Sequence, residues 1–186
     1  MNPIVEIVVL IVVGFIAGAI NTIAGGGSLL ALPILIFLGL PPNIANGTNR
    51  IAIIFQNIFT TAGFKSKGVK TFPFSIYVAI SALIGAIIGA QIAVDIKGET
   101  FNKILAIIMV IVVLYMVFKS KFKHINDAEK TTGKHLWLSI VLFFFVGIYG
   151  GFIQAGVGFI MLLILSSVNN ISLVKSNAIK VTVALI

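Results

Sequence analysis

What most constrains this chain is a series of nearly uninterrupted apolar runs, several of them long enough to cross a bilayer as helix, which takes roughly 20 residues. Residues 4–23, 43–62, 72–94, 101–118 and 136–153 form such runs. In hydrocarbon a backbone must satisfy its own hydrogen bonds, so spans of this composition are expected to be α-helices. With 59% hydrophobic and only 10% charged residues in 186, the chain has too little charge to cover a soluble domain of this size. The expectation is an all-α, multi-pass helical membrane protein whose surroundings are a lipid bilayer. The first run is not read as a secretory signal, because it lacks a basic leader, is too long, and is followed by more spans.

Two apolar runs are too short to cross. Residues 28–38 would extend about 16 Å as helix at ~1.5 Å per residue, half a bilayer core. Residues 159–168 are similarly short. Each follows a glycine-rich stretch, Asn21-Thr22-Ile23-Ala24-Gly25-Gly26-Gly27-Ser28 in one place and Gln154-Ala155-Gly156-Val157-Gly158-Phe159 in the other. Broken backbone at membrane depth is tolerated where it is buried in protein or lines a cavity. Matched interruptions in two halves of a chain point to a transporter binding site. A helix beginning after such a loop turns its free N–H groups and positive dipole end toward it, a ready site for an anion. The candidates here are Asn21, Gly25, Gly26, Gly27 and Ser28, with Gln154, Gly156 and Gly158. The competing reading is that these glycines merely let helices approach closely.

The two loops belong to an internal repeat. A shift of 131 residues carries Gly25 and Gly27 onto Gly156 and Gly158, Ser28 onto Phe159, and Asn46 onto Asn177. Upstream of the glycines the shift is 133, placing Gly18 on Gly151 and Asn21 on Gln154. The ordered set (long helix, glycine loop, short helix, polar turn, Asn-containing helix start) argues for a repeat more strongly than any single match. Residues 1–118 form the first copy, 119–135 a polar linker with five lysines, and 136–186 a second copy without counterparts of the fourth and fifth runs. On this count the chain reads as truncated. Lys65, Lys67 and Lys70 and the linker lysines lie two spans apart and can both face the cytoplasm, where basic loops concentrate. If residues 28–38 cross, the copies are inverted, which the lysine-free start favours; if they dip in and return, the copies are parallel.

A second group of candidates sits at the polar helix starts, Asn46, Thr48, Asn49 and Arg50 in one copy and Asn177 and Lys180 in the other. Asn46 and Asn177 are explained equally well as N-caps or as ligand groups. Arg50 and Lys180 lead straight into apolar helix, where a charge either faces the protein interior to attract substrate or snorkels to the interface. Gln56, Asn57 and Gln91 are read as interhelical hydrogen bonds. Ser81, Gly85, Gly89 and Ala93, and the pairs Gly14/Gly18 and Gly147/Gly151, are read as small-residue packing stripes.

Other chemistries fall away. Cysteine is absent, which removes disulfides and thiolate sites. The carboxylates Glu6, Asp95, Glu99, Asp127 and Glu129 form no buried pair, and His124 and His135 sit in the linker without metal-ligand companions. No enzyme, metal or cofactor is expected. The net charge of +8 sits in short loops, as orientation signals do, and not on a hydrophilic domain that could take nucleic acid.

The motifs Gly14-Phe15-Ile16-Ala17-Gly18, Asn21 to Leu29, Leu32-Pro33, Leu38-Gly39-Leu40-Pro41-Pro42 and Ala45-Asn46-Gly47-Thr48 together resemble the sulfite exporter TauE/SafE family of membrane permeases. The second copy departs from that pattern, with Val157 for the middle glycine and Ile164 where Pro33 would place proline. The resemblance implies a multi-pass protein of the bacterial inner membrane that moves a small organosulfur anion or sulfite. The expected activity is thus secondary transport of a small anion held at the two glycine loops. The alternative is a non-transporting truncated subunit or remnant, partnered by a homo-oligomer or by a missing C-terminal portion.

Overall fold

The computed structural model describes residues 3–96, 98–119 and 128–186. Lys97 and much of the expected linker, residues 120–127 with His124 and Asp127, lie outside the described residues. Among the described residues there are eight α-helices and no strand: α1 (Pro3–Ala24), α2 (Ser28–Phe37), α3 (Pro42–Ser66), α4 (Phe74–Asp95), α5 (Gly98–Lys119), α6 (Gly133–Phe152), α7 (Val157–Ser167) and α8 (Leu173–Val183). Three of them, over Ile4–Ala24, Phe74–Val94 and Gly133–Phe152, are long and apolar enough to cross a membrane. The 25-residue α3 has the length but not the hydropathy, because Asn46, Asn49, Arg50, Gln56 and Asn57 interrupt it. In α5 the apolar stretch runs over Asn102–Leu114 among the residues whose side chains are described.

Local chemistry sets the helix ends. Gly39 takes a left-handed φ of 96°, and the N–H of Leu40 reaches back to Leu35 O at 3.1 Å, a glycine-terminated end of α2. Pro42 opens α3 at a position where a missing N–H costs nothing. The helix passes through Gly63, where the sequence suggested an end, and closes at Gly68 (φ 73°). Asn46 therefore lies inside α3, and Asn177 lies inside α8, whose N-cap is Ser172. The N-cap reading of both asparagines is overturned, because each helix begins several residues earlier.

The tightest seam joins α4 to α6. A Cβ on Gly85 or Gly89 would lie 2.1 and 2.0 Å from the carbonyl oxygens of Phe144 and Ile148, and one on Gly147 or Gly151 would lie 2.0 and 2.1 Å from those of Ala82 and Ala86. Backbone meets backbone there, as close membrane-helix packing requires. The contacts ascend together in both helices, so α4 and α6 run parallel and their basic approaches, Lys65–Lys70 and Lys130–Lys134, lie at one end. Val78, Phe143, Leu165, Ile171 and Ile179 fill the core beside this seam. The buried Asn169 fixes the turn after α7, accepting from Ser139 Oγ at 2.9 Å and donating to Lys130 O at 2.8 Å. By contrast Gly14 and Gly18 have nothing within 4 Å of where a Cβ would sit. The packing expected of that pair is not seen, and α1 keeps most of its apolar surface exposed.

Candidate functional site

The two glycine loops touch. A Cβ on Gly25 would fall 2.3 Å from the carbonyl carbon of Gly158, and one on Gly158 would fall 2.7 Å from Gly25 Cα. Gly25 and Gly156, matched by the 131-residue shift, hold left-handed φ values of 74° and 73°, a region glycine enters without steric cost. Gly27 is pressed against α1, where a Cβ would meet Ala17 O at 2.0 Å. Close packing thus accounts for the glycines at 25, 27 and 158. The loop is also polar. The N–H groups of Gly26, Gly27 and Ser28 make no hydrogen bond among the described residues, as expected at the start of α2.

Both broken helices end in carbonyls that need donors, and each end is capped by the opposite half of the chain. At the end of α6, Arg50 of α3 donates to Gly151 O at 2.5 Å and to Gly150 O at 3.1 Å, and Asn46 donates to Phe152 O at 3.4 Å. At the end of α1, Lys180 of α8 donates to Asn21 O at 2.6 Å and Thr22 O at 3.2 Å, and Asn177 Nδ2 donates to Ile23 O at 3.0 Å. Lys180 also donates to Asn177 Oδ1 at 2.6 Å. A cation on the negative end of a helix dipole satisfies orphan carbonyls and offsets its own burial. The sequence offered snorkelling or substrate attraction for Arg50 and Lys180. Neither snorkels.

Between these ends lies a small cavity of about 30 Å³, lined among others by Asn21, Ser28, Asn57, Gln154, Gly158 and Lys180. Asn57 is 2% exposed, and its Nδ2 has no hydrogen-bond partner, nor has Gln154 Oε1. A wider space of about 160 Å³ adjoins it at Gln154, Val157 and Met161 and reaches Arg50. Of the residues singled out in the sequence, Asn21, Ser28, Gln154, Gly158 and Lys180 line the small cavity. Gly25, Gly26, Gly27, Gly156 and Asn177 build the backbone and caps around it, and Asn46, Asn49 and Arg50 lie further along α3. Thr48 is exposed on the opposite side of α3 and joins none of these.

Asn57 is the group the sequence reading missed, having placed it among interhelical hydrogen bonds. Gln56 does make them, donating to Gly18 O at 2.8 Å and to Thr22 Oγ1 at 2.7 Å while accepting from Asn21 at 3.0 Å. Gln91 is exposed and makes none among the described residues. Two adjacent amides on one helix cannot serve the same neighbour, and that was the available signal. Among the described residues no three His, Cys, Asp or Glu side chains cluster as metal ligands.

Each glycine loop is thus followed by a short helix, and the two loops meet beside a polar cavity. The family described as Sulfite exporter TauE/SafE matches residues 10–186. The chain belongs to the sulfite exporter TauE/SafE family. It is also similar to a probable membrane transporter protein of Haemophilus influenzae, 28% identical over 170 residues, which covers 91% of this chain and 66% of the relative. A 59-residue stretch is 37% identical to the probable membrane transporter protein ORF9 of Sinorhizobium sp, covering 32% of this chain and 23% of that protein. The chain thus spans less than two thirds of either relative. No solved structure gives a significant match. Family and relatives together make this TauE/SafE protein a membrane protein of a transporter family.

Proposed function

We propose that the chain is the part of a secondary transporter that binds a small anion, sulfite or an organosulfur anion, where the two glycine loops cross. The observation that carries this reading is the small cavity beside the crossing. It gathers the Lys180 ammonium, the unpartnered Asn57 amide, Ser28 and Gln154 next to the uncommitted N–H groups at the start of α2. Positive charge and neutral donors, with no carboxylate among the lining residues, suit an anion and repel a cation. At about 30 Å³ the space takes about two water molecules, so an oxyanion enters only when the loops part. Reciprocal capping of the two broken helices by the opposite half of the chain supports an inverted repeat rocking about the crossing. The basic ends of α4 and α6 then face the cytoplasm of a bacterial inner membrane.

The test is uptake of radiolabelled sulfite and of a short alkanesulfonate into proteoliposomes. Asn57→Leu should raise the half-saturating concentration about tenfold, the size of one hydrogen bond to a charged group. Gly158→Ala, whose methyl drives into Gly25, should abolish flux. Absence of flux for both anions, or unchanged kinetics in both variants, would overturn the reading.

A further inference from the structure

One face of α3 collects polar atoms that the fold does not satisfy. Among the described residues six buried side-chain N or O atoms lack a hydrogen-bond partner, and four of these are Asn46 Oδ1, Asn49 Nδ2, Asn57 Nδ2 and Thr61 Oγ1. They recur at steps of three, eight and four residues and so share one helical face with Arg50 and Ile53. The opposite face carries Ile51, Phe55, Ile58 and Phe59, all exposed, as a lipid-facing surface should be. An unpaired buried amide costs free energy unless water or a ligand pairs with it. Four on one stripe is therefore a wet wall, not a series of packing defects.

Cavities follow the same stripe. At its start Asn46 and Arg50 border a space of about 400 Å³ with Asn43. In its middle Ile53 and Asn57 border the 30 Å³ cavity with Lys180. At its end Thr61 and Lys65 border a second space of about 400 Å³ with Lys70 and Thr182, near the basic end of the molecule. From α8, Lys180 and then Thr182 face the same two cavities. Ile53 is the single apolar residue on the stripe between Asn46 and Thr61, and it stands where the space is narrowest.

We infer that this face of α3 is the wall along which solute crosses the protein, and that Ile53 is its apolar constriction, dividing an Asn46–Arg50 vestibule from a Thr61–Lys65 vestibule. The inference rests on the transport reading but names a route and a gate that reading does not. An apolar side chain at a narrow point excludes water until the walls separate, so each vestibule is reached from one side of the membrane only.

The chain has no cysteine, so single-cysteine variants report without a background. Asn49→Cys, Asn57→Cys and Thr61→Cys, with Ile51→Cys, Phe55→Cys and Ile58→Cys as the lipid-facing set, are treated in oriented vesicles with an impermeant anionic, sulfonate-bearing methanethiosulfonate. The first set should react at least about tenfold faster, because the thiolate is the reactive species and apolar surroundings suppress it. Asn49→Cys and Thr61→Cys should react from opposite sides, and adding Ile53→Ala should let each react from both. Total thiol, read with maleimide after denaturation, normalises every rate to protein present. Equal rates on the two faces, labelling of positions 49 and 61 from one side only, or no response to Ile53→Ala would sink the inference. Labelling as expected without sulfite or sulfonate flux would retain the route and reject the substrate; flux without the labelling pattern would do the reverse.

Discussion

The two capped helix ends use one device in two settings. Arg50 holds the end of α6 through two carbonyls and borders cavities of about 160 and 400 Å³. Lys180 holds the end of α1 through two carbonyls and Asn177, is 3% exposed, and borders the 30 Å³ cavity. Arginine keeps fork donors to spare while capping, whereas lysine is a compact charge that three oxygens nearly saturate. The difference teaches that one kind of cap can be sealed, as at Lys180 of α8, or open to a cavity, as at Arg50 of α3. The sealed cap is expected to carry more of the fold's stability.

That comparison breaks most easily at Lys180. Lys180→Ala strips donors from two buried carbonyls and from Asn177, and should lower unfolding free energy in detergent by about 3 kcal/mol. Gly27→Ala comes next: its methyl meets Ala17 O, and the overpacking should cost about 2 kcal/mol, while Gly14→Ala, with open space around it, should be neutral. Arg50→Ala should cost less than Lys180→Ala, about 1.5 kcal/mol, since water in the adjoining cavities can serve the α6 carbonyls. Equal losses at 50 and 180 would erase the proposed division. The smallest pair is Asn177→Ala against Asn46→Ala. Asn177 donates at 3.0 Å and Asn46 at a long 3.4 Å, so about 1 kcal/mol is expected for the first and less than half of that for the second. Denaturant titration followed by tryptophan fluorescence of Trp137 measures all six.

Helix content, the positions of the eight elements and the small-residue stripes on α4 and α6, though not their pairing, were legible because period, length and glycine spacing are local properties. The glycine loops were legible as broken helix for the same reason. Their contact was not, since Gly25 and Gly158 carry no side chain whose chemistry could announce a partner. Nor could sequence assign Arg50 and Lys180, because a charge opening an apolar helix looks the same whether it meets a headgroup, a solute or another helix's carbonyls. Gly14 and Gly18 show the limit from the other side, a spacing shared with the packed pair Gly147 and Gly151 but facing open space in the structure.

The cross-half capping has a consequence for biosynthesis. Arg50 precedes its acceptor Gly150 by 100 residues, so α6 finds its cap already in the membrane as it leaves the ribosome. Lys180 follows its acceptor Asn21 by 159 residues. At roughly 5–20 residues per second, the end of α1 waits on the order of ten seconds or more with its last carbonyls uncapped. During that interval the first half is an open clasp, and the emergence of a single lysine is the event that fastens it.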